Sequence, residues 1–223
     1  RRYGGSGPRP ESTSMNRLER LLGQRAARLA ERRQPWALVG GLAVSVRTEP
    51  RFTRDIDLAV AVANDGEAEA LVYDLRGAGF RALATVEQQE AHRLATARMI
   101  PSGDRTDGLM LDLLFASSGI EAQICARAEP LQVFSGICVP VAQLYHLIAL
   151  KVLARDDRTR PQDALDLRQL IAYAESSDLE RAHDAVRAIE TRGFNRSRNL
   201  VQALERAWRE FRPPVSQEPE AKP

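Results

Sequence analysis

Asp55 and Asp57 stand two residues apart in the run DIDLAVAV. In an extended strand that spacing sends both carboxylates to one face while Ile56 and Leu58 take the other. Two neighbouring anions repel. The pair is therefore either solvated at a strand end, where it is inert, or held together by a divalent cation bound through oxygen. A third carboxylate, Asp112, sits alone in the apolar run LMLDLLF. Burying it without a partner costs several kcal/mol, and a cation shared with Asp55 and Asp57 would remove that cost. Upstream of the pair lie the turn Gly40-Gly41 and a loop carrying Arg47, Arg51 and Arg54.

Lys151 is a second candidate on different grounds. Among 32 basic residues only Lys151 and Lys222 are lysine, and Lys222 lies near the end of the sequence. A lysine kept in an otherwise all-arginine protein, inside the helical run VAQLYHLIALKVLAR, calls for a chemical role. A surface lysine laying its stem along an apolar face is the plain alternative. Nearby, Arg155, Arg158 and Arg160 either pair with Asp156 and Asp157 or form a phosphate-binding patch beside Lys151.

Elements that would position these groups follow from periodicity. Leu18, Leu21, Leu22 and Leu29 recur at helical spacing from Asn16 to about Arg33, and Pro35 ends that helix. Trp36 to Val39 reads as a strand that turns through Gly40-Gly41 into a helix, and Asp55 to Val62 as the next strand. Residues 65–77 form a helix closed by Gly77 and Gly79, and residues 80–87, 92–100 and 109–115 are further strands, with a turn at Pro101-Ser102-Gly103-Asp104 between the last two. From Pro140, which suits a first helical turn, residues 141–155, 161–175, 178–192 and 196–211 have helical periodicity. Ser177-Asp178-Leu179-Glu180 spells a capping box, and Gly193 suits a helix end. The expected organisation is a leader or expression remnant over 1–14, a mixed α/β core over 15–139, a C-terminal helical bundle over 140–212 and a disordered tail over 213–223.

Composition narrows the function classes. The 223 residues are 43% hydrophobic and 28% charged, with a formal net charge of +2, as expected for a globular protein without a general nucleic-acid coating. No apolar run approaches the ~18 residues needed to cross a bilayer, and no signal peptide is evident, so a cytoplasmic location is expected. The two cysteines, Cys125 and Cys138, lack metal or redox spacing and read as buried free thiols.

The order of glycine turn, strand with two carboxylates and a later strand with a third resembles the polymerase-β-like nucleotidyltransferase superfamily. The resemblance implies a mixed sheet with flanking helices, and Asp55, Asp57 and Asp112 holding two Mg2+ ions. One ion would activate an attacking hydroxyl and the other would neutralise the triphosphate. The backbone at Gly40 and Gly41 would offer N–H groups to phosphate oxygens. Leu42 stands where a hydroxyl residue is common, leaving Ser45 as a substitute phosphate contact.

More specifically, WALVGGLAVSVRTEPRFTRDIDLAV and LIALKVLARDDRTRPQDALDL resemble the AbiEii nucleotidyltransferase toxins of type IV toxin–antitoxin systems, over about residues 36–170. By that resemblance the essential carboxylate and lysine fall on Asp55 and Lys151, and a later aspartate on Asp166 or on Asp163, one helical turn away. Arg54 and Arg155 join the nucleotide-binding set. The resemblance implies transfer of a nucleotide, CMP from CTP, to the 3′ end of tRNA, which blocks aminoacylation, and a cognate antitoxin as partner. Nucleotidylation of a protein or small-molecule hydroxyl is the alternative within the same chemistry, and a catalytically silent binding module the alternative of another class. Thr53 precedes the carboxylate pair. A phosphate on it would oppose an incoming triphosphate, as the resemblance to kinase-regulated toxins implies, and otherwise Thr53 caps the loop.

Overall fold

The computed structural model describes residues 10–88, 93–102, 108–156, 159 and 161–212. In chain order the elements are α1 (Pro10–Glu31), β1 (Trp36–Val39), α2 (Gly40–Arg47), β2 (Asp55–Val60), α3 (Asp65–Gly77), β3 (Phe80–Gln88), β4 (Arg93–Pro101) and β5 (Met110–Leu114). There follow α4 (Glu121–Arg127), β6 (Glu129–Phe134), β7 (Ile137–Val141), α5 (Leu144–Ala154), α6 (Pro161–Tyr173), α7 (Ser176–Thr191) and α8 (Leu200–Phe211). The first nine residues and the tail from 213 lie outside the described residues, as do Gly103, Asp104, Arg158 and Arg160.

The strands make one seven-stranded mixed sheet in the order β3-β4-β5-β2-β1-β7-β6. Its centre is built from short apolar strands. β1 is buried at all four residues, and β2 buries Ile56, Leu58, Ala59 and Val60 while its two aspartates stay partly accessible. That alternation at the start of β2 is the period-two pattern of a strand with one wet end. β2 runs parallel to β5 and antiparallel to β1.

The C-terminal helices share the core with the sheet: Leu38, Leu58, Leu113, Leu147, Leu167, Val186 and Leu204 belong to one apolar cluster. α5 is its hub, packing against α6, α7 and α8 as well as α2. Burial of His146, Leu147, Ile148, Ala149, Val152 and Leu153 covers most of its circumference. Lys151 is thereby carried on a helix held from several sides, which suits a residue whose position matters.

Local readings are corrected at several points. Helix α1 starts at Pro10, inside the stretch read as a leader. Pro140 lies in β7 rather than in a helical turn; β7 pairs with β1 only at Leu38↔Val141, so the N–H missing from Pro140 breaks no ladder there. The hairpin β6–β7 and helix α4 had no sequence counterpart. The capping box of α7 is formed two residues earlier than the spelling suggests, between Glu175 at the N-cap and Asp178. Of the two free thiols, Cys138 is exposed and only Cys125 is half-buried, where burial pushes its pKa up to about 12.

Candidate active site

Register places the chemistry. Across β1, β2, β5 and β4 the Cα partners are Val39↔Asp57, Asp57↔Asp112 and Asp112↔Arg98. A single row of neighbouring side chains thus runs from the glycine turn, through two carboxylates, to an arginine, with Asp55 next along β2. The row opens into a cleft of about 600 Å³ whose lining includes Gly40, Gly41, Thr53, Asp55, Asp57, Arg98, Asp112, Lys151, Asp163 and Asp166. Residues from both halves of the sequence meet there.

Gly40 and Gly41 are required by close approach. Gly40 has φ +66°, and a Cβ there would lie 1.9 Å from Asp57 Oδ2. A Cβ on Gly41 would meet Arg51 Nη2 at 2.4 Å. The turn is glycine because a carboxylate and a guanidinium pass directly over it. Val39 supplies no side-chain cap, which leaves the N-terminus of α2 uncovered by its own sequence.

Charge in the row is unevenly satisfied. Asp112 is held by Arg98, whose Nε donates to Oδ1 at 2.8 Å and whose Nη2 donates to Oδ2 at 2.6 Å. The partner of this aspartate among apolar residues is therefore an arginine of the neighbouring strand. Asp55 Oδ1, by contrast, is buried without a hydrogen-bond partner. Burial, then the charge of Asp112, holds the Asp55 carboxyl above the ordinary range. Burial, then Asp112 and Asp55, pushes Asp57 up to about 7.

No group of three His, Cys, Asp or Glu among the described residues is arranged to hold a metal ion. The carboxylates that Arg98 does not hold nevertheless suit a hard divalent cation: Asp55 and Asp57 offer only carboxylate oxygens, one of them orphaned, and the charge of Asp55 disfavours that of Asp57. Asp55 and Asp57 fit such an ion. Asp112 fits one only if Arg98 releases it.

A second cluster closes the cleft from the helical side. Lys151 Nζ lies 2.6 Å from Asp163 Oδ1 and 2.7 Å from Asp166 Oδ2. Asp166 is fully buried and also meets Arg51, through Nε at 2.8 Å and Nη2 at 2.8 Å, and Gln162 Nε2 at 3.1 Å. Burial raises the Asp166 pKa, but the Arg51 hydrogen bond and the charge and hydrogen bond of Lys151 outweigh it, and the net shift is downward. Both aspartates of the DALD run thus touch Lys151, and α6 supplies them one turn apart. The charge of Lys151 also reaches Asp57 and favours its ionised form.

Other expected site residues fall elsewhere. Ser45 is not in the cleft lining; its hydroxyl donates to Gly41 O at 3.0 Å and accepts from Arg51 N at 3.3 Å, so it braces the turn. Arg54 is exposed and lies over the Phe52 ring, and Arg155 meets Glu210 at 3.4 Å and the Phe211 ring. Neither lines the cleft. Arg158 is outside the described residues. Thr53 does line it, with Oγ1 accepting from Asp55 N at 3.3 Å ahead of β2. Arg98 was missed, although the alternation of Ala95, Ala97 and Met99 with Thr96 and Arg98 carried the signal, since it puts Thr96 and Arg98 together on the less buried face of β4.

A mixed sheet bearing a glycine turn, paired strand carboxylates and a facing lysine defines a nucleotidyltransferase-type scaffold. Residues 20–222 match the family model "Nucleotidyl transferase AbiEii toxin, Type IV TA system". This chain belongs to the AbiEii family of nucleotidyltransferase toxins. Among solved structures it is similar to an antigenic nucleotidyltransferase-like protein from Paracoccidioides brasiliensis, with TM-score 0.52 and 16% identity over 85% of this chain and 93% of that one. A looser likeness is to the antibiotic-resistance factor ANT(2'')-Ia, with TM-score 0.44 and 21% identity over 90% of this chain and 92% of that one. No curated protein matches the sequence significantly. Family membership implies a nucleotide substrate and an antitoxin partner. No helix among the described residues is long and apolar enough to cross a membrane.

Proposed function

We propose that this toxin transfers CMP from CTP to the 3′ end of tRNA in the cytoplasm, releasing pyrophosphate and blocking aminoacylation. The observation that carries the reading is the open carboxylate pair Asp55 and Asp57 set between the Gly40-Gly41 turn and Lys151 in one cleft. In the reaction the 3′ oxygen bonds to the α-phosphorus and the bond from that phosphorus to the β-phosphate oxygen breaks. The hydroxyl proton passes to solvent, since the Asp55 and Asp57 oxygens are committed to the cation.

Asp55 and Asp57 would hold Mg2+, joined by Asp112 for a second ion; such ions supply charge neutralisation of the triphosphate and a lowered hydroxyl pKa. Gly40 and Gly41 let the phosphates approach the backbone at the start of α2 without a side chain in the way. Lys151, a compact cation held by Asp163 and Asp166, faces the same space and offsets phosphate charge. Arg51 fixes Asp166 and so the lysine. Regulation by a kinase-like antitoxin would act at Thr53, where a phosphate adds close to two negative charges beside Asp55.

Incubation with each labelled NTP, Mg2+ and total tRNA, followed by a denaturing gel, tests the reading. Label from CTP on tRNA with wild type and none with Asp55→Ala is the expected result. Label on protein or on a small molecule instead moves the acceptor, and no incorporation with any NTP and acceptor overturns the enzymatic reading.

A further inference from the structure

Arg98 is a cleft residue that the glycine turn, the carboxylate pair and the lysine cluster leave unexplained. Its Nε reaches Asp112 Oδ1 at 2.8 Å and Oδ2 at 3.2 Å, and its Nη2 reaches Oδ2 at 2.6 Å. Such a forked, charge-assisted contact engages both carboxylate oxygens at once. The two partners differ in burial: the Asp112 side chain is 9% exposed, whereas that of Arg98 is 43% exposed and borders the cleft. Asp112 is fixed in an apolar strand and cannot follow a partner into water. Arg98 has room to swing away, since its stem already lies near solvent, provided another cation then takes up the charge left on Asp112.

A guanidinium this close to Asp112 also occupies the space beside that carboxylate and repels a second cation there. Its positive field extends to Asp55 and Asp57 as well, both of which it favours in ionised form. A pair serving stability alone needs no open side. This one faces the space where a triphosphate would dock, and phosphate oxygens accept a planar guanidinium as well as a carboxylate does.

We infer that Arg98 is a positioning residue that gates Asp112. Without nucleotide its guanidinium serves as a built-in cation for the third carboxylate, and divalent ions find only Asp55 and Asp57. An entering triphosphate draws Arg98 onto its own oxygens and frees Asp112 as a ligand for a second ion. Because coupling between two ligands is reciprocal, nucleotide tightens the second ion and the second ion tightens nucleotide. The inference rests on the nucleotidyl-transfer reading, and its test separates the two.

Mn2+ titrated into the full chain and followed by electron paramagnetic resonance reads the gate without turnover. Wild type is expected to bind one ion alone and two with α,β-methylene-CTP or α,β-methylene-ATP, a measurement that needs no variant. Arg98→Met is expected to bind the second ion without nucleotide at least about tenfold more tightly than wild type. Arg98→Gln, which keeps donors and loses the charge, should do the same. Adding Asp112→Asn to Arg98→Met should return binding to one ion, showing that the gain runs through Asp112. Two ions in wild type without nucleotide, or no gain in either folded Arg98 variant, overturns the gate and leaves nucleotidyl transfer standing. Absence of bound Mn2+ even with both nucleotide analogues overturns the metal-dependent reading and the gate with it.

Discussion

Asp57 and Asp112 are direct partners across the parallel β2–β5 ladder, so two carboxylates stand side by side at the centre of the sheet. With burial, this places the Asp57 carboxyl at about 7, above the ordinary value of 3.8. A carboxyl raised in the folded state contributes stability that is fully present below its unfolded pKa and is lost as pH rises through its folded pKa. Asp57→Asn in chelator is therefore expected to melt like wild type near pH 4 and on the order of 5 °C higher at pH 8. A difference in melting temperature that stays flat between those pH values would exclude the raised carboxyl.

Asp55→Ala removes the orphaned Oδ1 and the partner of Asp57 in any cation site. Transfer should fall on the order of a thousandfold while the melting curve stays cooperative, because Asp55 carries no packing of its own. Retention of more than about a tenth of the wild-type rate argues against a metal clamp at this pair.

Lys151 shows how one cation satisfies two buried anions. Lys151→Met leaves Asp166 to Arg51 and Gln162 and takes the lysine away from buried Asp163, and should cost about 3–5 kcal/mol of stability in chemical denaturation. Lys151→Arg keeps the charge but sets a planar fork where a compact ammonium fits between two carboxylates, and should lose about a hundredfold in transfer rate. A Lys151→Arg enzyme with the wild-type rate would mark the lysine as incidental.

Gly40→Ala puts a methyl group 1.9 Å from Asp57 Oδ2 at a φ of +66°. The backbone strain alone is worth roughly 1–2 kcal/mol, and Asp57 must move as well. Loss of transfer should exceed the loss of stability, and melting together with the gel assay separates them. An alanine variant with an unchanged rate would show that the turn tolerates a side chain.

Co-expression with the neighbouring antitoxin followed by intact-mass measurement checks the proposed Thr53 switch. The expected product is inactive toxin heavier by one phosphate, and Thr53→Val should escape the modification. Inactivation without added mass would point instead to inhibition by direct binding.

Local patterns in the sequence determined much of the framework. Four apolar residues before two glycines dictate strand, turn and helix at 36–47, and alternation in DIDLAV dictates a strand with both aspartates on one face. Both signals lie within one or two residues of the groups they position, so no distant contact is needed to read them. The loneliness of Lys151 among arginines was equally visible, and it lines the cleft. Tertiary structure decided what each charge is paired with. Arg98 reaches Asp112 only through the register of β4 on β5, and Lys151 reaches Asp163 and Asp166 only through the packing of α5 on α6. Arg51 meets Asp166 across 115 positions of sequence. Sequence gives the type and local direction of a side chain. The partner of a buried charge depends on strand register and helix packing, which arise when distant apolar faces are buried together, and no local spacing encodes that choice.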